Sequence, residues 1–152
     1  MKNNFFNKPI SNIYLKQSPY SEVVSQILYG EKFKIIVKRK KWIKIKTNYD
    51  NYIGYIKNNK FLENFKPSYK VSKIKSQIFL KRGNKFLSSN RYLYYGSGIC
   101  IKSKDENYIE FEKNKWIKKR DVKDINHYEK NYVKVFKSFL NTKYLWGGKT
   151  CE

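Results

Sequence analysis

The 152-residue sequence predicts a mainly β protein of two small barrels followed by one C-terminal helix. Three observations lead to this prediction. Short runs alternate apolar and polar residues, the pattern recurs after about sixty residues, and the spacing becomes helical near the end. A chain of this length can form two small domains. An aromatic content of 18% and a hydrophobic content of 40% predict packed cores despite 30% charged residues.

The first barrel is expected over residues 10–66, after a loose polar tail at residues 1–9. Alternation predicts that Phe33, Ile35 and Val37 lie on one side of a strand, and a barrel of this size needs a large anchor, for which Trp42 is the candidate. Turn signals separate the short strands at 29–31, 38–41 and 48–51.

The second barrel is expected over residues 67–126, after a break at Lys66-Pro67-Ser68. Leu28-Tyr29-Gly30 aligns with Tyr94-Tyr95-Gly96, and Tyr55-Ile56 aligns with Trp116-Ile117. The two copies therefore predict a duplicated small domain.

The last segment, residues 127–152, has helical spacing. A helix is predicted over about 128–141, with Asn141 as its left-handed end. Its apolar positions are Tyr132, Val133, Phe136, Phe139 and Leu140.

The net charge of +22 comes mainly from lysine, because only four of the 34 basic residues are arginine. A field of this size favours a polyanionic partner. An AT-rich codon bias explains the same composition, since Lys, Asn, Ile, Tyr and Phe are all abundant. Both interpretations stay open.

No apolar run is long enough for a signal peptide or a membrane helix, so a cytoplasmic protein is expected. Two cysteines and one histidine predict neither a disulfide framework nor a zinc site, and no metal or cofactor is expected. Cys100, between Ile99 and Ile101, is predicted to be a buried structural thiol.

The repeated unit resembles the bacterial SH3 (SH3b) domain. The matching residues are Val24–Glu31, the lone Trp42 and the run Asp50–Ile56, in which Tyr55 takes the place of the usual tryptophan. The second copy matches through Tyr95-Gly96 and Trp116-Ile117.

The C-terminal segment resembles the opening of an NlpC/P60 cysteine-peptidase domain, where a helix leads to a Tyr-x-Trp-Gly-Gly motif and then to the catalytic Asp-Cys-Ser-Gly. Here Tyr144–Gly148 match, while Asn141 and Lys143 replace the usual Gly and Pro. The helix would be the first element of an incomplete papain-like α+β domain. The arrangement resembles the dipeptidyl-peptidase VI type, the γ-D-glutamyl-L-diamino acid endopeptidases of murein peptide recycling.

Cys151 is not expected to be catalytic. A nucleophilic cysteine needs a nearby base and often a following helix, and the only histidine, His127, precedes the predicted helix. Cys151 is followed by Glu152 instead of Ser-Gly, so no catalytic residue is assigned and no peptidase activity is expected from this chain.

The resemblance implies a substrate-binding role for the first barrel, around the free amino end of a murein peptide of the γ-D-Glu-diamino acid type. An ammonium group needs a carboxylate or an aromatic face. Glu22 and Tyr52 are the candidates on the barrel, and Tyr144 and Trp146 are the candidates on the C-terminal segment.

Three functions remain open. The first is the targeting and substrate-positioning part of an NlpC/P60 hydrolase. The second is a free-standing SH3b module that binds wall peptide or a protein partner. The third is a basic nucleic-acid-binding protein, in which lysine supplies charge and aromatic rings supply stacking.

Overall fold

The computed structural model describes residues 4–151, which form two compact units. The first unit consists of Met1–Phe65 and Tyr144–Lys149, and the second of Lys66–Lys143 and Thr150–Glu152. The boundary between Phe65 and Lys66 lies one residue before the divide expected from the sequence. The segment expected as a separate C-terminal region is shared between the units, because residues 144–149 pack with the first one.

The first unit is an antiparallel sheet of seven strands in the order β3-β2-β6-β5-β4-β1-β7 among the described residues. The strands are short, as tight turns between alternating runs require. They are β1 (Asn4–Phe5), β2 (Ile10–Tyr14), β3 (Val23–Leu28), β4 (Lys32–Lys38), β5 (Trp42–Thr47), β6 (Ile53–Lys57) and β7 (Leu62–Glu63).

The core of this unit is formed by the inward-facing residues of the strands. Alternation along β5 and β6 buries every second side chain and leaves the intervening ones on the outer face. The fully or almost fully buried cluster comprises Phe6, Ile13, Ile27, Phe33, Ile43, Ile45 and Ile56.

Three expectations for this unit are wrong. Residues 4–9 do not form a loose tail, because β1 pairs with β4 and β7 and Phe6 is buried. Val37 is exposed, since a β-bulge between Ile35 and Val37 shifts the alternation of β4 by one residue. Trp42 is not a core anchor: it lies half-buried on the outer side of β5, edge-on to Tyr14.

The second unit contains a five-stranded sheet and a three-stranded sheet, with strand orders β10-β9-β14-β13-β12 and β11-β8-β15 among the described residues. A 3-10 helix at Lys119–Asp121 precedes the last strand. The strands are β8 (Tyr69–Val71), β9 (Lys75–Arg82), β10 (Lys85–Tyr94), β11 (Gly98–Ile99), β12 (Ser103–Lys104), β13 (Tyr108–Glu112), β14 (Lys115–Lys118) and β15 (Val122–Asp124).

The structure agrees with the duplication at its aligned turns. β3 ends at Leu28 and β10 ends at Tyr94, and each is followed by a Tyr-Gly pair whose glycine has positive φ, 76° at Gly30 and 87° at Gly96. Glycine adopts this conformation at little cost, so both units leave the strand by the same kind of turn. Cys100 is only half-buried, contrary to prediction, and its thiol donates to the carbonyl of Lys66 at 2.8 Å.

The predicted helix is present but shorter, because α1 spans Tyr132–Ser138. The side chain of Asn131 accepts a hydrogen bond from the Lys134 amide at 3.0 Å and so caps the start of the helix, which begins four residues later than predicted. Asn141 has the expected left-handed backbone, with φ of 67°. Within residues 4–151, no helix has the length and apolar character that crossing a membrane requires.

Gly54 permits the close approach of β6 to β2. A Cβ at this position would lie 2.6 Å from the Ile13 side chain and 2.7 Å from the Tyr14 carbonyl. We therefore expect Gly54→Ala to lower the free energy of unfolding by about 1–3 kcal/mol, the usual cost of overpacking. Denaturant titration measures this cost, with Lys57→Ala on the exposed end of β6 as the control. A Gly54→Ala variant as stable as the control would show that β6 does not approach β2 this closely.

Candidate functional site

The C-terminal segment Tyr144–Lys149 reaches the first unit through a partly buried ion cluster. The Lys149 Nζ lies 2.8 Å from Asp50 Oδ2 and 3.1 Å from Glu31 Oε1. The three side chains are 17–18% exposed, so water screens their charges less than it screens charges on an open surface. The ammonium also lies 6.0 Å from the centre of the Tyr49 ring.

Glu31 is oriented by the turn between β3 and β4. The amide of Leu28 donates to Glu31 Oε2 at 3.0 Å, and the Glu31 amide donates back to the Leu28 carbonyl at 3.1 Å. Gly30 makes this reversal possible through its positive φ. The carboxylate therefore has a fixed position at the end of β3 before Lys149 arrives.

Asp50 is oriented in the same way by the loop between β5 and β6. The hydroxyl of the buried Thr47 donates to Asp50 Oδ1, and the Thr47 amide donates to the Tyr52 carbonyl at 3.0 Å. Asn51 has left-handed φ of 59°, a conformation that asparagine tolerates better than most residues. The loop thus presents one carboxylate oxygen to Thr47 and leaves the other for Lys149.

The backbone of the C-terminal segment also contacts the first barrel. The Lys149 amide donates to Gln26 Oε1 at 2.7 Å, and Gln26 Nε2 donates to Asn12 Oδ1 at 3.0 Å. Gly147 lies directly against β3, because a Cβ there would stand 2.9 Å from the Val24 carbonyl carbon. A side chain at position 147 would push the segment off the strand.

The ion cluster shifts the pKa values of its three members. Burial raises the pKa of Glu31 above its ordinary value, and the Lys149 charge offsets this only in part. Burial also disfavours the charged forms of Asp50 and Lys149, but hydrogen bonds and neighbouring charges have the larger combined effect on their pKa values. Hydrogen bonds from Lys149 and Thr47 lower the pKa of Asp50, and the charge of Glu31 together with hydrogen bonds to both acids raises the pKa of Lys149.

The four predicted binding residues all belong to the first unit and all are exposed. Glu22 precedes β3, Tyr52 precedes β6, and Tyr144 and Trp146 lie on the docked segment, with Tyr52 46%, Tyr144 86% and Trp146 65% exposed. Their roles stay predictions.

Val24 lies close to the backbone near three of these residues, which are Glu22, Tyr52 and Trp146. It lies two residues after Glu22 and touches the position where a Gly147 side chain would begin. Its methyl group also stands 3.1 Å from where a Gly54 side chain would begin. Trp146 stands one residue before Gly147, and Tyr52 stands two residues before Gly54. Since both glycines lie beside Val24, the backbones of Trp146 and Tyr52 lie near the start of β3.

Two further chemically reactive residues belong to the second unit. Cys151 belongs to the second unit and is half-buried, and His127 is exposed in the turn after β15, where its amide donates to the Asp124 carbonyl at 3.0 Å. Among residues 4–151, no three His, Cys, Asp or Glu side chains gather closely enough to hold a metal ion.

The cluster formed by Gln26, Glu31, Asp50 and Lys149 was not predicted from the sequence. The first three residues lie within the motifs that resemble SH3b domains, and Lys149 directly follows the Trp-Gly-Gly motif. The only available signal was the scarcity of acids in a lysine-rich chain. It could not show which of the lysines pairs with Glu31, because the partner lies 118 residues away.

The fold and the docked segment together define a small β-barrel module of the SH3 class. Residues 13–61 match the family described as the bacterial dipeptidyl-peptidase Sh3 domain. A comparison with curated proteins gave no match.

The fold of the whole chain resembles that of a longer solved chain. It superposes on the 1.79 Å crystal structure of an NlpC/P60 family protein from Bacillus cereus ATCC 10987 with a TM-score of 0.75 and 14% sequence identity. The match covers 98% of this chain and 67% of that one. At this identity the likeness establishes a shared fold.

The directions of the pKa shifts predict how docking of the C-terminal segment on the barrel depends on pH. Lys149 stabilises docking fully below its ordinary pKa, and this contribution is lost as the pH rises through its raised value. Asp50 stabilises docking above its ordinary pKa, and this contribution is lost as the pH falls through its lowered value. Glu31 is protonated at a higher pH than Asp50, which still holds Lys149.

Carbon-detected NMR of the Gly147 and Gly148 Cα signals measures this release, with Gly54 reporting whether the barrel stays folded. We expect docking to persist on acidification until Asp50 is protonated, and on the alkaline side until Lys149 loses its proton. Lys149→Met should abolish both transitions, whereas Lys143→Met, at an exposed position, should keep them. Release near neutral pH would contradict the ion cluster.

Proposed function

We propose that this chain is the SH3b substrate-positioning region of an NlpC/P60-type hydrolase that acts on murein peptides. The observation that carries the proposal is the docking of Tyr144–Lys149 on the first barrel. In the NlpC/P60 domains that this segment resembles, it leads into the peptidase domain. Its attachment to the barrel would therefore set the position of the catalytic residues relative to the barrel. The dipeptidyl-peptidase family of residues 13–61 supports the same assignment.

The surface around the start of β3 has the chemistry for recognising a free peptide amine. The exposed Glu22 carboxylate can accept charged hydrogen bonds from an ammonium group, which are stronger than neutral ones. The exposed rings of Tyr52 and Trp146 offer faces that attract a cation. Gly147 carries Trp146 to this place because nothing larger fits against Val24.

The proposed division of work places binding in this chain and bond cleavage elsewhere. The barrel and the docked segment hold and orient the amino end of the peptide. We assign Cys151 no part in the chemistry, because a nucleophilic thiolate needs an adjacent base and the residues around Cys151 depart from the Asp-Cys-Ser-Gly motif of the family that the segment resembles. The alternative of a free-standing wall-peptide module uses the same binding surface.

NMR titration with L-alanyl-γ-D-glutamyl-diaminopimelate tests this proposal. We expect saturable shifts at Glu22, Tyr52 and Trp146, and about tenfold weaker binding for Glu22→Gln, the equivalent of about 1.4 kcal/mol from one charged hydrogen bond. The matched control is Glu63→Gln, which removes the same charge at an exposed site on β7.

A second peptide decides whether the amine is the recognised group. N-acetylation of the alanine removes the positive charge and should abolish the shifts at Glu22. Equal binding of the acetylated peptide, or an equal loss in Glu63→Gln, would rule out amine recognition at this surface.

A further inference from the structure

The outer face of the first barrel carries an ordered array of lysines. β-sheet pairing places Lys34 directly opposite Lys46, and Lys44 lies two residues before Lys46 on the same face of β5. Lys57, at the end of β6, pairs with Trp42. Opposite residues lie about 5 Å apart at Cβ, and residues i and i+2 on a strand lie about 6.6 Å apart. We call this surface the lysine face.

Like charges opposite each other on a sheet destabilise it, so the Lys34–Lys46 pair opposes folding. Among the described residues, the pairing of β2, β4, β5 and β6 places no acidic side chain beside these lysines on the lysine face. The first 65 residues offer few acids elsewhere, and two of these, Glu31 and Asp50, are already engaged by Lys149. The face thus keeps an uncompensated positive charge that an anionic partner would neutralise.

The turn between β4 and β5 extends the positive surface and is fixed in place. Four consecutive basic residues, all exposed, run from Lys38 at the end of β4 through the turn at 39–41. The Arg39 amide donates to the Trp42 carbonyl at 3.0 Å, and the Asn58 side chain donates to the Arg39 carbonyl at 2.9 Å. Because these hydrogen bonds hold the turn backbone, the basic side chains extend the lysine face at the β4–β5 turn.

Aromatic rings lie between the lysines. Tyr55 pairs with Lys44 on one side and with Tyr14 on the other, and its ring lies 5.8 Å from the Lys44 Nζ. Trp42 packs edge-on to Tyr14 at 5.8 Å between ring centres. All three rings are half-buried, so each has one part anchored in the sheet and another part open to solvent.

We propose that the lysine face binds single-stranded nucleic acid. Cations that follow the backbone and rings that accept stacked bases are the two parts of such a surface. Only unpaired bases can reach the rings, because a duplex keeps its bases stacked inside. Lysine binds phosphate as a point charge and lacks the planar fork with which arginine reads bases, so the face recognises the backbone without sequence preference. This inference does not depend on the proposed murein-peptide function.

Fluorescence anisotropy with a labelled oligothymidylate tests the proposal. In the triple variant Lys34→Gln/Lys44→Gln/Lys46→Gln we expect at least about tenfold weaker binding at low salt. The slope of log affinity against log salt should fall by about 2, since each phosphate contact on a single strand contributes about 0.7. Thermal unfolding should show a barrel at least as stable as the native one, because the variant removes the opposed charges.

The matched control is Lys85→Gln/Lys113→Gln/Lys130→Gln, which makes the same change in net charge at exposed positions of the second unit. It should bind about as tightly as the native chain. Equal losses in the two variants would overturn the proposal, because binding would then follow the total charge of the protein. So would an absence of binding by the native chain at low salt.

Two competitors test the identity of the ligand. A duplex of the same length should compete less well than the single strand, because its bases cannot stack on the rings. Poly(glycerol phosphate) with the same number of phosphates should also compete less well, since it has no bases. Equal competition by either polymer would show a surface that responds to charge alone and would overturn the nucleic-acid assignment.

Discussion

The contact of Lys149 with Glu31 and Asp50 fixes the C-terminal segment on the first barrel. Bringing three charges out of water is costly unless each finds a partner, and here both carboxylates are pre-oriented by their own turns. Glu31 is held by the Leu28 amide and Asp50 by the Thr47 hydroxyl, so little additional ordering is needed when Lys149 binds. The hydrogen bond from the Lys149 amide to Gln26 then sets the register of the segment along β3.

This attachment explains why the residues around it have so little freedom. Gly147 must remain glycine because β3 occupies the space of a side chain and because its φ of 69° is left-handed. Trp146 and Tyr144 remain exposed beside the start of β3, where the barrel contributes Glu22. A polar and aromatic surface thus forms from two parts of the chain that are more than a hundred residues apart in sequence. The proposed peptide-binding function rests on that combination.

Much of the fold could be predicted from local pattern, since alternation and turn residues act over a few positions. The strands on either side of Gly30, the repeated Tyr-Gly turn and the C-terminal helix all follow from such signals. The errors arise where a distant contact overrides the pattern. Phe6 is buried because β4 and β7 accept β1, Val37 is turned outward by a bulge, and the helix is shortened at Asn131. The partner of Lys149 is a tertiary contact, and no spacing in a single sequence encodes it.

A double-mutant cycle between Lys149→Met and Asp50→Asn tests the anchoring most directly. The protection of the residue 149 backbone amide against hydrogen exchange gives the free energy of docking in each of the four proteins. A charge pair that holds the segment predicts a coupling energy of about 1–3 kcal/mol, because each single variant already removes the interaction. Additive effects, with a coupling below about 0.3 kcal/mol, would show that the segment is held by other contacts and would contradict the account.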